Sequence, residues 1–203
     1  MADLVALSVA DEPAAWAGVG FAVADDGRAV VGGVSISLVG RSAGSGIVAW
    51  TLDGVSAGSL DGLATTGERR DEGDGSAASG AHPNGAVGLD HVVVFTPAFA
   101  RTRDVLVGAG FDLRREVEMR GTSMGFFRIG PTILELVATP DGDPADPARF
   151  WGLVVVLPDL DDVHPGLAEH LGEPRDAVQP GRRIATLRET AGISPALAFM
   201  TPR

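Results

Sequence analysis

The chain has 203 residues, 45% hydrophobic and 21% charged, which suits one soluble globular unit with an appended part. Its net charge of -11 argues against a nucleic-acid backbone as partner. No apolar run reaches membrane-span length, and Met1-Ala2-Asp3-Leu4 lacks the basic start and apolar core of a signal peptide, so a cytoplasmic location is the default expectation. Cysteine, lysine and tyrosine are absent, which removes thiolate nucleophiles, Schiff bases and phenolic acids and leaves His, Asp, Glu, Ser and Thr as candidate catalysts.

In chain order, the N-terminal part predicts a strand over 4–9 and a short helix over 12–19. Val31-Gly32-Gly33-Val34-Ser35-Ile36-Ser37-Leu38-Val39 aligns without gaps onto Ile129-Gly130-Pro131-Thr132-Ile133-Leu134-Glu135-Leu136-Val137. Gly18-Val19-Gly20-Phe21 likewise parallels Gly108-Ala109-Gly110-Phe111. A strand over 46–52 starts a further unit that does not finish. The Gly/Ser/Asp-rich stretch 66–88 reads as an exposed linker in which His82 has no role.

The C-terminal part reads as two βαβββ units, 89–140 and 150–203. The first has a strand over 89–95, a helix over 99–109 stopped by Gly108-Ala109-Gly110, and strands over 111–119, 125–129 and 132–138. The second has a strand over 150–157, a helix from Pro158 to about Leu171, and strands over 176–179, 183–188 and 196–201. Repetition organises the chain: 1–65 is a βαβββ-like module plus one strand, and 89–203 is a paired-module domain.

Two apolar strands carry the sharpest chemical signal. In Leu89-Asp90-His91-Val92-Val93-Val94 and Ile133-Leu134-Glu135-Leu136-Val137, a histidine and a carboxylate stand where burial demands a partner. His91 is either a metal ligand or a buried, hydrogen-bonded histidine. Glu135 is either a cavity residue, including a general base with a raised pKa, or the partner of an arginine such as Arg128. Arg183 opens a strand and is either an anion clamp or a solvated side chain. Phe126 and Trp151 are either core or ligand platforms.

Those motifs, with Gly110-Phe111 and the paired βαβββ order, resemble the vicinal oxygen chelate superfamily, which includes glyoxalase I, bleomycin-resistance proteins and extradiol dioxygenases. The resemblance implies an α+β fold in which paired βαβββ modules form a cupped, incomplete barrel. It also implies a divalent metal (Zn, Ni, Co, Mn or Fe) that chelates neighbouring substrate oxygens, with His91 and Glu135 at ligand positions. The second module offers Gly152 in place of His91, and Leu197 or Ala198 in place of Glu135. In the N-terminal module Ser37 matches Glu135, and Leu4 falls near the His91 position. The implied function is a lyase, isomerase or epimerase acting on a small metabolite, with Glu135 catalytic and Arg128, Phe126, Trp151 and Arg183 contacting substrate. The alternative is a non-catalytic binding protein with a degenerate metal site. A homodimer would supply missing ligands.

Overall fold

A computed structural model of the chain describes residues 1–68 and 81–202. It is mostly strand, with two large sheets, few helices and no closed barrel. The smaller sheet comes from β1 (Asp3–Val9), β2 (Arg28–Val31), β3 (Val34–Leu38), β4 (Ile47–Asp53), β5 (Gly58–Leu60) and β6 (Leu63–Glu68), with helix α1 (Pro13–Gly18) after β1. The larger comes from β7 (Gly88–Thr96), β8 (Asp112–Met119), β9 (Thr122–Ile129), β10 (Thr132–Ala138), β11 (Arg149–Val156), β12 (Arg175–Asp176), β13 (Arg183–Thr186) and β14 (Ala196–Met200). Helices α2 (Phe99–Gly108) and α3 (Pro165–Ala168) follow β7 and β11.

The sheets share one wiring. Their orders are β2-β3-β1-β4-β6-β5 and β12-β13-β14-β11-β7-β10-β9-β8. In each module the first strand lies parallel to the last, and the first strands of two modules meet antiparallel at the centre. The smaller sheet has one strand fewer per module. Its second module does finish, contrary to the expectation from sequence. Leu60 pairs with Leu63 across Asp61 and Gly62, both at positive φ, a two-residue turn of the type that suits strand twist. The Asp-Gly dipeptide is the signal that reading missed; the strands beside it are short and poor in β-branched aliphatics.

Helix ends repeat too. Phe21 N–H donates to Trp16 O and Phe111 N–H to Leu106 O, closing each helix across a left-handed glycine, Gly20 or Gly110. The helix expected from Pro158 to Leu171 is reduced to one turn, Pro165–Ala168. The preceding residues form an aspartate turn, with Asp159 Oδ1 accepting from Asp161 N–H, and Pro165 and Gly166 disfavour a longer helix.

One buried apolar cluster spans both sheets, with Trp16, Trp50, Phe111, Phe127 and Phe199 among its large members. Two carboxylates, one buried and one partly buried, tie the halves together. Asp11 accepts from Trp16 Nε1 and from Ser194 N–H; Asp61 accepts from Arg101 Nε at 2.9 Å and from Thr102 Oγ1. In the stretch expected to be linker, residues 69–80 lie outside the described residues. His82 is buried, its Nδ1 accepting from Ala22 N–H and its Nε2 2.9 Å from Val30 O, so it braces the smaller sheet.

All four modules carry a bulge at the same place. The extra residues are Val5 in β1, Val48 in β4, Asp90 in β7 and Trp151 in β11, deduced from the register shifts of the central strands. In each case the next residue, Ala6, Ala49, His91 or Gly152, occupies the equivalent position. The register therefore moves the N-terminal equivalent of His91 from Leu4 to Ala6, which lies beside Ser35 as His91 lies beside Ile133.

Candidate active site

The core face and the cup face of the larger sheet differ by strand parity. Leu134 and Leu136 of β10 and Val92 and Val94 of β7 are fully buried in the core. Glu135 and Ile133 point to the other face, toward the cup. The bulge at Asp90 disturbs that alternation in β7, so that Asp90 and His91 both reach the cup although they are adjacent in sequence.

The result is a chain of four polar side chains. Arg182 Nη2 donates to Asp90 Oδ1 at 2.7 Å, and Asp90 Oδ2 accepts from His91 Nδ1 at 2.9 Å. His91 Nε2 lies 3.3 Å from Glu135 Oε2. Exposure rises along the chain, with Arg182 at 3%, Asp90 at 10%, His91 at 11% and Glu135 at 18% of their side-chain surface. Arg182 is also anchored by its Nε, which donates to Thr201 O; its Nη1 is buried with no partner among the described residues.

Burial alone would push the Asp90 carboxyl up, but the bonds from His91 and Arg182 outweigh it and hold it well below the usual carboxylate range. Asp90 is therefore an anion that only accepts, and it fixes the proton of His91 on Nδ1. Burial pushes the Glu135 carboxyl up, an effect opposed by His91 and reinforced by the charge of Asp90. With Nδ1–H committed to Asp90, Nε2 is the ring nitrogen that faces Glu135 Oε2.

The cavity beside this pair has a volume of about 350 Å³ and is lined by Arg115, Val117, Met119, Phe126, Ile133 and Val178, among others. A second lobe of about 210 Å³ shares His91, Glu135, Phe126 and Met119 and continues to Arg175 and Asp176. The structure thus brings together three of the residues singled out in the sequence: His91, Glu135 and Phe126. Arg128 is exposed, on the Phe126 face of β9 but outside the lining of either lobe. Trp151 stacks on Phe95, with centroids 4.9 Å apart, and lines a separate cavity with Arg149 and Arg188. Arg183 forms a half-exposed ion pair with Asp161 and lines neither lobe. The buried arginine is its neighbour, Arg182. Ile184 lines the cup, so period-two alternation sends Arg182 to that side and Arg183 away from it. That parity, with the Asp90 bulge, is what the sequence reading missed.

The donor set does not fit a divalent metal held by this chain alone. A metal-binding cluster needs three or four protein ligands for zinc, and among the described residues no group of three His, Cys, Asp or Glu is placed to hold one. Asp90, the third candidate donor nearby, is turned to Arg182 and to the far side of the imidazole.

The second module explains why no ligands come from it. Val154 stands opposite His91, and Gly152 opposite Val93, which makes Gly152 the equivalent of His91. A Cβ on Gly152 would meet Ala196 O at 2.1 Å, so no side chain fits there. Gly152 lies beside Ala196 as His91 lies beside Ile133, making Ala198 the equivalent of Glu135. Ala198 packs with Val154, Met200, Ala177 and Ile184 in a small apolar cluster.

No protein-family model matches the chain, and no curated protein sequence matches it. Solved structures do. A triple mutant of 4-hydroxymandelate synthase from Streptomyces coelicolor is 14% identical with a TM-score of 0.65, over 99% of this chain and 92% of that one. Methylmalonyl-CoA epimerase from Mycobacterium tuberculosis is 16% identical with a TM-score of 0.48, over 59% of this chain and 91% of that one. Four modules of shared wiring, the His91 and Glu135 strands and a fold likeness over both sheets lead to one conclusion: the chain has the glyoxalase-like fold of the vicinal oxygen chelate superfamily.

Proposed function

We propose that the cup binds a small oxygenated metabolite and moves a proton on it, as an isomerase or lyase does. The observation that carries this reading is the 3.3 Å approach of His91 Nε2 to Glu135 Oε2 at the wall of a cavity, with Asp90 holding the far side of the imidazole. A buried carboxylate with a raised pKa is suited to abstract a proton next to a carbonyl. In the singly protonated pair, Glu135 is the base and the His91 Nε2–H is the donor that stabilises the developing oxyanion. Asp90 and Arg182 are positioning residues that hold Nδ1–H and the ring's orientation, so that Nε2 faces the cup. One acid–base pair on one wall favours return of the proton on the same face, hence a shift or elimination.

The lining favours a second reading, sequestration without chemistry, because Val117, Met119, Phe126, Ile133 and Val178 give the wall a large apolar share. Incubation in D₂O with a panel of small 2-oxo and 3-oxo acids, followed by proton NMR, separates the two. Deuterium entering a carbon next to a carbonyl with wild type but not with Glu135→Gln supports proton transfer. Ligands that bind the cup yet never exchange overturn it in favour of sequestration.

A further inference from the structure

We infer that the cup is shaped for an organic anion whose charged end is held by Arg115, with an apolar body lying on Phe126 and the reacting carbon facing Glu135. This rests on the cup being the small-molecule site. The geometry is a cross-strand ladder: Glu135 of β10 stands directly opposite Phe126 of β9, and Phe126 directly opposite Arg115 of β8. Neighbouring strands lie about 4.8 Å apart, so Arg115 and Glu135 are ~10 Å apart at the backbone, with one aromatic ring between them. All three line the same cavity.

Arg115 reaches that face through a second bulge. Leu113 pairs with Phe127 and Arg115 with Phe126, which leaves Arg114 as the extra residue. Arg114 is engaged by Asp112 at 3.0 Å, whereas the Arg115 side chain makes no hydrogen bond or ion pair among the described residues. Most of the other charges around the cup have partners. Arg182 and Asp90 neutralise each other and Glu135 faces His91, while Arg175, exposed in the second lobe, forms no ion pair among the described residues and serves as the comparison for Arg115. In a chain of net charge -11, an unpaired arginine at the exposed rim of a mostly apolar cavity marks where a ligand's negative charge belongs.

Three probes with one apolar body test this: 4-phenylbutanoate, 4-phenylbutanamide and 4-phenylbutylamine, each titrated into the full ¹⁵N-labelled chain and followed by amide shifts. The carboxylate is expected to bind at the cup amides about tenfold more tightly than the amide, and the amine more weakly still. Arg115→Gln, an exposed position whose folding the same spectra verify, should erase the carboxylate preference, as should raised salt. Arg175→Gln should retain it. Equal affinity for carboxylate and amide, or a preference that survives Arg115→Gln, overturns the anion assignment while leaving the cup as a binding site. Failure of all three probes to shift cup amides contradicts the cup reading as well.

Discussion

The two modules of the larger sheet share wiring, register and bulge, yet their cup faces have opposite chemistry. Where the first places Asp90, His91 and Glu135, the second places Trp151, Gly152 and Ala198. The first half holds charge that is compensated within the chain, and the second is packed with Val154, Met200 and Ile184. The bulge is common to all four modules and so belongs to the fold. What differs is the residue placed on it, and only at Asp90 does it aim an acid at a histidine. Architecture supplies the position, and one substitution pattern supplies the chemistry.

The largest expected effect comes from uncoupling the charged half. Arg182→Ala leaves the Asp90 carboxylate buried without its cation and should cost about 3–5 kcal/mol in urea unfolding. Asp90→Asn added to it should recover part of that loss, and a double variant no more stable than the single one would show that the two residues do not act together. Next comes the packed half. Gly152→Ala forces a Cβ against Ala196 O and should cost about 1–3 kcal/mol, because strand backbones must separate. A neutral outcome would mean that the seam between β11 and β14 is looser than the contact implies.

A smaller effect separates the two acids by pH. The Glu135 carboxyl is raised, so the stability linked to it is present below the ordinary glutamate value and is lost as pH rises through the raised one. Glu135→Gln should therefore gain on wild type as the pH rises from acid to neutral. Asp90 is lowered, so its contribution is present above the ordinary aspartate value and is lost only as pH falls through the depressed one. Asp90→Asn should accordingly lose most at neutral pH. Unfolding curves across pH check both directions. The smallest expected effect is that of metals. After loading with Zn, Ni, Co, Mn or Fe and desalting, elemental analysis should find substoichiometric metal, indifferent to His91→Ala. Stoichiometric metal lost in that variant would show that a second copy completes the site.

Internal repetition made the fold legible in the sequence, since apolar strands at matched intervals can bury their faces only by pairing. The alignment of 31–39 onto 129–137 correctly placed Ser37 opposite the Glu135 position and anticipated matching turns. The β5–β6 hairpin escaped because its short, Gly- and Thr-containing strands carry little alternation, and the one-turn α3 because a prolyl, acidic stretch resembles a helix start. At the site, His91 and Glu135 stood out as polar residues in apolar strands. Asp90 and Arg182 did not, because a bulge shifts parity by one and no local pattern announces it. The same one-residue uncertainty accounts for Arg183 being named in place of Arg182, and Arg115 was hidden by the bulge at Arg114.

The central claim is that Asp90 fixes the His91 tautomer and so turns Nε2 toward Glu135. With only four histidines in the chain, long-range ¹H–¹⁵N spectra of the imidazoles across pH test it directly. His91 is expected to carry its proton on Nδ1 in the wild type and to lose that preference in Asp90→Asn. An Nε2–H tautomer with bare Nδ1 in the wild type, or the same tautomer in wild type and Asp90→Asn, would contradict it.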